Sequence, residues 1–192
     1  MTEYNPCWEW RIFDKRIEWA ERQKDKLGVR KTRESSEVYF LTPECVHNVK
    51  IRAGKLDVKY LLDKESAGIE LWVRRFKAPL PVPGAILTKT LNYLDCDTAF
   101  IDQKRKYSQA MIAGALPDGI RTVGVDKKRY SMTYNNCDAE WVEIYTGGER
   151  YESFSIESID KERLMDSLRK LGLVTADNLN YIEFLRNVHG IK

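Results

Sequence analysis

The chain has 192 residues, 43% of them hydrophobic, with 32 Lys and Arg against 29 Asp and Glu and a formal net charge of +3. This length and apolar content suit one sizeable core, read as a single domain over residues 1–192. So mild a charge gives no electrostatic reason for a nucleic-acid partner, and no apolar run approaches the ~18 residues of a membrane span.

A strand is predicted over residues 7–13, with Trp8, Trp10 and Ile12 on one face and Cys7, Glu9, Arg11 and Phe13 on the other. Asp14 is a fair N-cap for a helix over 15–27, ended at Gly28. The basic run from Arg30 to Arg33 reads as a solvated loop, and a strand over 37–41 follows. Ala53 and Gly54 then form a plausible hairpin turn that pairs Arg52 with Lys55, Lys50 with Asp57 and Asn48 with Lys59. Cross-strand partners share a face, so Lys50, Arg52, Lys55 and Lys59 crowd around Asp57 and repel unless an anion sits among them. Lys55, next to the turn, reads as a rim residue.

After a loop over 64–68, the next strand (69–76) places Glu70, Trp72, Arg74 and Phe76 on one face. The proline-rich stretch 79–84 lacks ladder donors and is a connector, a candidate boundary between two halves. A helix is predicted over 95–115 and a turn at 117–119. The strand over 121–130 puts Lys127 and Arg129 on one face. Gly147 and Gly148 make the turn of a second hairpin, in which Glu140 faces Ser155, Asp138 faces Glu157, and Glu143 pairs with Glu152 on the opposite face. A one-residue slip would exchange Glu140 for Glu143 as the residue beside Glu157. Helices over 161–171, ended at Gly172, and over 178–188 complete the reading. There is no internal repeat.

Several strands thus carry charge at period two: Glu9 and Arg11, Lys50 and Arg52, Lys59, Glu70 and Arg74, Lys127 and Arg129, Glu140 and Glu157. The bland explanation is the wet face of an antiparallel sheet. Against it, Lys and Glu are poor strand formers, and the apolar faces of the same strands are also well formed. An antiparallel sheet closed into a barrel with helices packed outside would turn the charged faces inward, lining a tunnel suited to a linear polyanion. Arginine grips phosphate oxygens in bidentate fashion and lysine supplies compact charge. Carboxylates among them make sense as oxygen ligands for Mg²⁺ or Mn²⁺ bridging protein and phosphate. Competing chemistries find no support: there is no G-x-x-x-x-G-K-[ST] loop, and two histidines furnish neither a His metal site nor a Ser-His-Asp triad. Cys7, Cys45, Cys96 and Cys137 lie far apart with no C-x-x-C pair, against a zinc site; with no leader-like segment the expectation is a cytoplasmic protein with reduced thiols. The tryptophans of the strands, Trp8, Trp10, Trp72 and Trp141, are expected in the core outside the barrel.

The order of these landmarks resembles the CYTH, or triphosphate tunnel metalloenzyme, superfamily. The residues that carry the likeness are the charged first strand, Lys50-x-Arg52, Lys59, Lys127-x-Arg129, Glu140, Glu157, Leu171-Gly-Leu173 and Asn180-Tyr181. The resemblance implies an α+β single domain built on an eight-stranded antiparallel β-barrel, acting on triphosphates with Mg²⁺ or Mn²⁺. It implies Arg11, Lys50, Arg52, Lys59, Arg74, Lys127 and Arg129 as substrate-binding residues. Glu9, Glu70, Glu140 and Glu157 become metal ligands, with Glu9, Glu140 and Glu157 catalytic. The family's E-x-E-x-K signature is altered here to Cys7, Glu9 and Arg11, which removes one hard oxygen ligand. Two readings follow: a hydrolase of a triphosphate-containing small molecule or polyphosphate, and a module of the same fold that binds such an anion without cleaving it. A nucleic-acid-end binder is a third, disfavoured by the charge and by the lack of a basic-aromatic stripe.

Overall fold

The computed structural model describes residues 5–65 and 68–192. In chain order the elements are β1 (Cys7–Asp14), α1 (Glu18–Leu27), β2 (Lys31–Leu41), β3 (Asn48–Arg52), β4 (Lys55–Lys64), β5 (Glu70–Pro79), β6 (Val82–Pro83), α2 (Gly84–Asn92), β7 (Lys106–Tyr107), α3 (Gln109–Gly114), β8 (Arg121–Tyr134), β9 (Cys137–Thr146), β10 (Glu149–Ser158), α4 (Lys161–Leu171) and α5 (Tyr181–His189). Eight strands close into an antiparallel barrel in the order β1-β10-β9-β8-β2-β3-β4-β5, while β6 and β7 form a separate small pair. No helix among the described residues is long and apolar enough to cross a membrane.

The β3–β4 hairpin has the expected register, Arg52 opposite Lys55, Lys50 opposite Asp57 and Asn48 opposite Lys59. Its turn places Ala53 at φ 49° and Gly54 at φ 64°, the left-handed pair that a two-residue hairpin of matching twist requires. The β9–β10 register is likewise the one that pairs Glu140 with Ser155 and Glu143 with Glu152.

Several elements differ from expectation. The run from Arg30 to Arg33 is not a loop. From Lys31 onward it is the first part of β2, where pairing with β8 over Lys31–Ser131 to Leu41–Arg121 outweighs its poor strand propensity. The first helix starts later than expected, with Ile17 at its N-cap, and Asp14 instead accepts from the Lys15 amide at 2.6 Å. Bulges between Val58 and Lys59 and between Leu61 and Asp63 shift the β4–β5 register. Phe76 consequently leaves the face of Arg74 and packs in the outer core, while Lys77 takes the inward position. The expected loop over 64–68 is strand at Lys64, and its residues 66–67 lie outside the described residues. No long helix spans 95–115: its weak apolar period is divided among turns, β7 and the short α3, while α2 occupies Gly84–Asn92. The proline-rich connector leads straight into α2, and strands from both sides of it share one barrel, so it divides nothing.

The apolar faces of the strands are covered on two sides. Trp10, Met132, Ala139, Trp141, Phe154 and Ile156 pack with Ala20 of α1 and Leu164 and Leu168 of α4. Phe40, Val49, Ile51, Leu56 and Val58 pack with Leu87 and Leu91 of α2 and Ile112 of α3. A third cluster forms inside one end of the barrel. There Tyr39, Leu41, Val123, Val125, Val142 and Ile144 meet Tyr181, Ile182, Phe184 and Leu185 of α5. An eight-stranded barrel leaves room for packed side chains or for one small ligand. Here α5 fills one end and the other stays open, so the expected tunnel is a cup.

Barrel closure is narrow. β1 pairs with β5 only through Cys7–Trp72, Trp8–Leu71 and Glu9–Glu70. Beyond that point the β1 edge is met by the chain leading into α5. The Arg11 amide donates to Asn178 Oδ1 at 2.6 Å, and the Leu179 amide donates to the Arg11 carbonyl at 2.8 Å.

Candidate functional site

The open part of the lumen is a cavity of about 390 Å³ walled by the inward positions of all the barrel strands. Its lining includes Glu9, Arg11, Lys50, Arg52, Lys59, Arg74, Lys127, Arg129, Glu140 and Glu157, so every candidate except Glu70 meets in one place. Period-two alternation explains the convergence, since closing the sheet aims every second side chain at the axis.

Glu37 of β2, which the sequence reading did not single out, is the hub of the site. It is 1% exposed. Its carboxylate lies 3.2 Å from Lys50 Nζ, 3.2 Å from Lys127 Nζ and 3.6 Å from Arg52 Nη1, and it accepts a hydrogen bond from Arg129 Nη2. The Tyr39 hydroxyl donates to it at 2.9 Å and accepts from Lys50 at 3.1 Å and from Lys127 at 2.7 Å. Burial alone would raise the Glu37 carboxyl, but Lys50, Lys127, Arg129 and Arg52 together hold it well below the usual carboxylate range. Burial in turn pulls the Lys50 amine down to about 8 against the opposing pull of Glu37. Lys127, wedged with its Nζ 3.3 Å from the centre of the Tyr181 ring, is also held well below the usual lysine range by burial.

Asp57, expected on the charged face of the hairpin but not as a site residue, is 2% exposed and paired with Arg52 Nη2 at 2.9 Å and Arg74 Nε at 3.2 Å. The signal for Glu37 lay in its period-two position beside Ser35 and Tyr39, and in the β2–β3 register that sets it opposite Arg52.

On the other wall, Glu9 and Glu157 face each other as β1–β10 partners. Arg11 Nε bonds Glu9 at 2.9 Å, its Nη2 lies 3.7 Å from Glu157, and its Nη1 donates to Ser153 Oγ at 3.0 Å. Lys59 Nζ lies 3.4 Å from Glu9 and 4.0 Å from Glu157. The two carboxyls diverge. Burial raises Glu9, yet Lys59 and Arg11 outweigh it and bring the group down to about 2. For Glu157, Lys59 pulls downward, but Glu9 and burial prevail and leave it above the ordinary range. Glu140 lies farther round, 3.7 Å from Arg129 Nε. Glu143 points away, accepting from the Tyr130 hydroxyl at 2.8 Å.

Glu70 is buried beneath the cavity. It accepts from Trp72 Nε1 at 3.1 Å and from Asn180 Nδ2 at 3.0 Å, and pairs with Lys64 at 3.3 Å. Because Asn180 also caps α5 by accepting from the Ile182 and Glu183 amides, Glu70 anchors that helix. Trp72 lines the base of the cavity, unlike Trp10 and Trp141 of the outer core. Burial, with Glu157 close by, pushes the Cys7 thiol up to about 12, so it is neutral at physiological pH and a poor ligand for a hard cation. Among the described residues no three His, Cys, Asp or Glu side chains converge as a ready-made metal cage. Glu9 and Glu157 do form a hard-oxygen pair. Mg²⁺ commonly binds through one or two carboxylates plus substrate phosphates, a donor set this pair fits.

No family model matches the chain, and no curated protein sequence matches it. The fold is shared with solved structures. A Bacillus halodurans protein proposed to be an adenylate cyclase superposes with a TM-score of 0.56 at 15% identity, covering 92% of this chain and 95% of that one. A Hippeastrum protein proposed to be an adenylyl cyclase, with dominant triphosphatase activity, gives 0.52 at 14% identity, covering 97% of both chains. A Pyrococcus horikoshii protein gives 0.52 at 22% identity, covering 95% of this chain and 98% of the other. At such identities the likeness is one of fold.

Proposed function

We propose that the cup binds the phosphate chain of a triphosphate-containing small molecule or polyphosphate and hydrolyses it with Mg²⁺ or Mn²⁺. The observation that carries this reading is the convergence of Arg11, Lys50, Arg52, Lys59, Arg74, Lys127 and Arg129 on a single enclosed cavity. Low surrounding dielectric makes each of these charges count for more than at an open surface. The likeness in fold to a protein with triphosphatase activity points the same way.

In this reading Glu9 and Glu157 hold the cation together with phosphate oxygens, and Glu140 extends the set. Bound there, the ion would supply charge neutralisation for the phosphoryl group and lower the barrier to attack by water. The chain's own residues position the phosphates: Arg52, Arg74 and Arg129 by forked contacts, Lys50, Lys59 and Lys127 as point charges. Arg11, already bonded to Glu9, orients that carboxylate as well as contacting anion.

A second reading, binding without turnover, draws on two facts: each carboxylate of the cavity already has a cationic partner, and Cys7 stands where the resembling family has a carboxylate. Phosphate release from tripolyphosphate, ATP and thiamine triphosphate with Mg²⁺ or Mn²⁺ separates the two. Hydrolysis of at least one, abolished in Glu157→Gln while calorimetric anion binding persists, is the expected result. Tight binding with no release under any condition would leave the binding module standing and remove the hydrolase.

A further inference from the structure

The mouth of the cup is electrically lopsided. On the β1, β9 and β10 side it carries Glu157, Glu140 and Asp138, the last joined to Arg30 at 2.8 Å. On the opposite side Arg33 of β2 and Lys77 of β5 line the cavity at the end marked by the Ala53-Gly54 turn. Both are exposed, and among the described residues neither makes an ion pair, although Arg33 borders the same surface hollow as Asp138 and Lys77 lies across from Asp57 on β4. The deeper cations differ: Lys50, Lys127 and Arg129 share Glu37, while Arg52 and Arg74 share Asp57. The deep cluster keeps an excess of cations over these two acids, and Arg33 and Lys77 extend that positive charge outward to the rim.

The rim also lacks a platform for a nucleobase. The aromatic rings of the lining are those of Trp72 and Tyr181, only 5% and 8% exposed, at the base next to α5. Aromatic stacking, a common way of holding a base, is thus not offered at the rim. A chain emerging from the cup would meet cations along one wall, carboxylates along the other and no exposed ring.

We infer that Arg33 and Lys77 form an outer anion subsite that continues the phosphate track, so that the preferred ligand is a linear inorganic polyphosphate longer than three phosphates, inserted by one end. This rests on the reading of the cup as a phosphate-chain site and names the ligand class within it. Because α5 closes the far end, the chain cannot thread through. Only a free terminus reaches Lys127 and Arg11, and a linear chain offers two termini whatever its length.

The test is titration calorimetry without metal, comparing tripolyphosphate, a longer linear polyphosphate of defined length and ATP, each per mole of chain. The longer chain should bind about 5- to 10-fold tighter than tripolyphosphate, the gain two exposed charge contacts can give, and ATP no tighter than tripolyphosphate. In the Arg33→Ala, Lys77→Ala double variant, whose altered side chains are at the surface, the ratio of the two polyphosphate affinities should fall to near one. Equal affinities in the wild type, a ratio unchanged in the double variant, or ATP as the tightest ligand would each overturn the inference while leaving the phosphate-chain site intact. Failure of all three anions to bind would overturn that underlying reading itself.

Discussion

Glu37 shows how one buried carboxylate can make a cation cluster compatible with folding. Lys50, Arg52, Lys127 and Arg129 would otherwise confront one another in a poorly solvated space, and Glu37 with the Tyr39 hydroxyl ties them together. Removing one member of such a buried assembly typically costs about 3–5 kcal/mol, because the remaining charges lose their partner. Glu37→Gln is expected to lose stability on that scale in urea denaturation. Added tripolyphosphate should restore more of it than the same anion adds to the wild type. Lys50 makes the site sensitive to pH. With its amine at about 8 in the free protein, a bound polyanion would draw a proton back onto it. Affinity should therefore fall as pH rises between about 7 and 9, with net proton uptake measurable by calorimetry in buffers of different ionisation enthalpy. For stability the sign is opposite. Folding disfavours the charged Lys50, so its cost is present below about 8 and is relieved as pH climbs towards the 10.5 of an unperturbed lysine.

At the scale of elements, the hairpins were legible because their turns are local. Ala53-Gly54 and Gly147-Gly148 fix register by backbone conformation, and register then decides which side chains face inward. Hence Lys50, Arg52, Lys59, Glu140 and Glu157 could be placed from sequence. Glu37 could not, because its partners come from β3 and β8 and are set by long-range pairing. The same cause hid the strand character of Lys31 to Arg33, which exists only against β8. Phe76 was placed on the wrong face, and Lys77 was not placed at all, because a bulge leaves no mark in the alternation of residue types. Nor did the pattern of α5 reveal that it plugs the barrel: an amphipathic stripe says that a face is buried, not against what. Leu185 of that helix is fully buried, and Leu185→Ala is expected to cost about 2–5 kcal/mol as a cavity mutation. If α5 is the floor of the cup, the loss should also weaken tripolyphosphate binding. A thermal melt combined with a binding titration checks both parts, and unchanged affinity would separate the plug from the site.

For the molecule as a whole, a net charge of only +3 conceals a strongly organised field, with charge concentrated in the lumen and hydrophobic surface sealed by α1, α2, α3 and α4 on two flanks. Composition therefore indicated the size of the core and excluded little about the ligand; the site resides in arrangement. The narrow junction of β1 with β5, completed by Asn178 and Leu179, has a consequence for how the protein is made. Domains generally fold as units as they emerge from the ribosome. Here part of the first strand's edge is met only by a residue 167 positions further along the chain. During synthesis the inward charges of β2, β3 and β4 stand in an open trough wetted by solvent. The floor of the cup arrives only with the segment beyond residue 178, so a ribosome-bound chain halted before that point should carry the charges of the site without the closed end that shapes it.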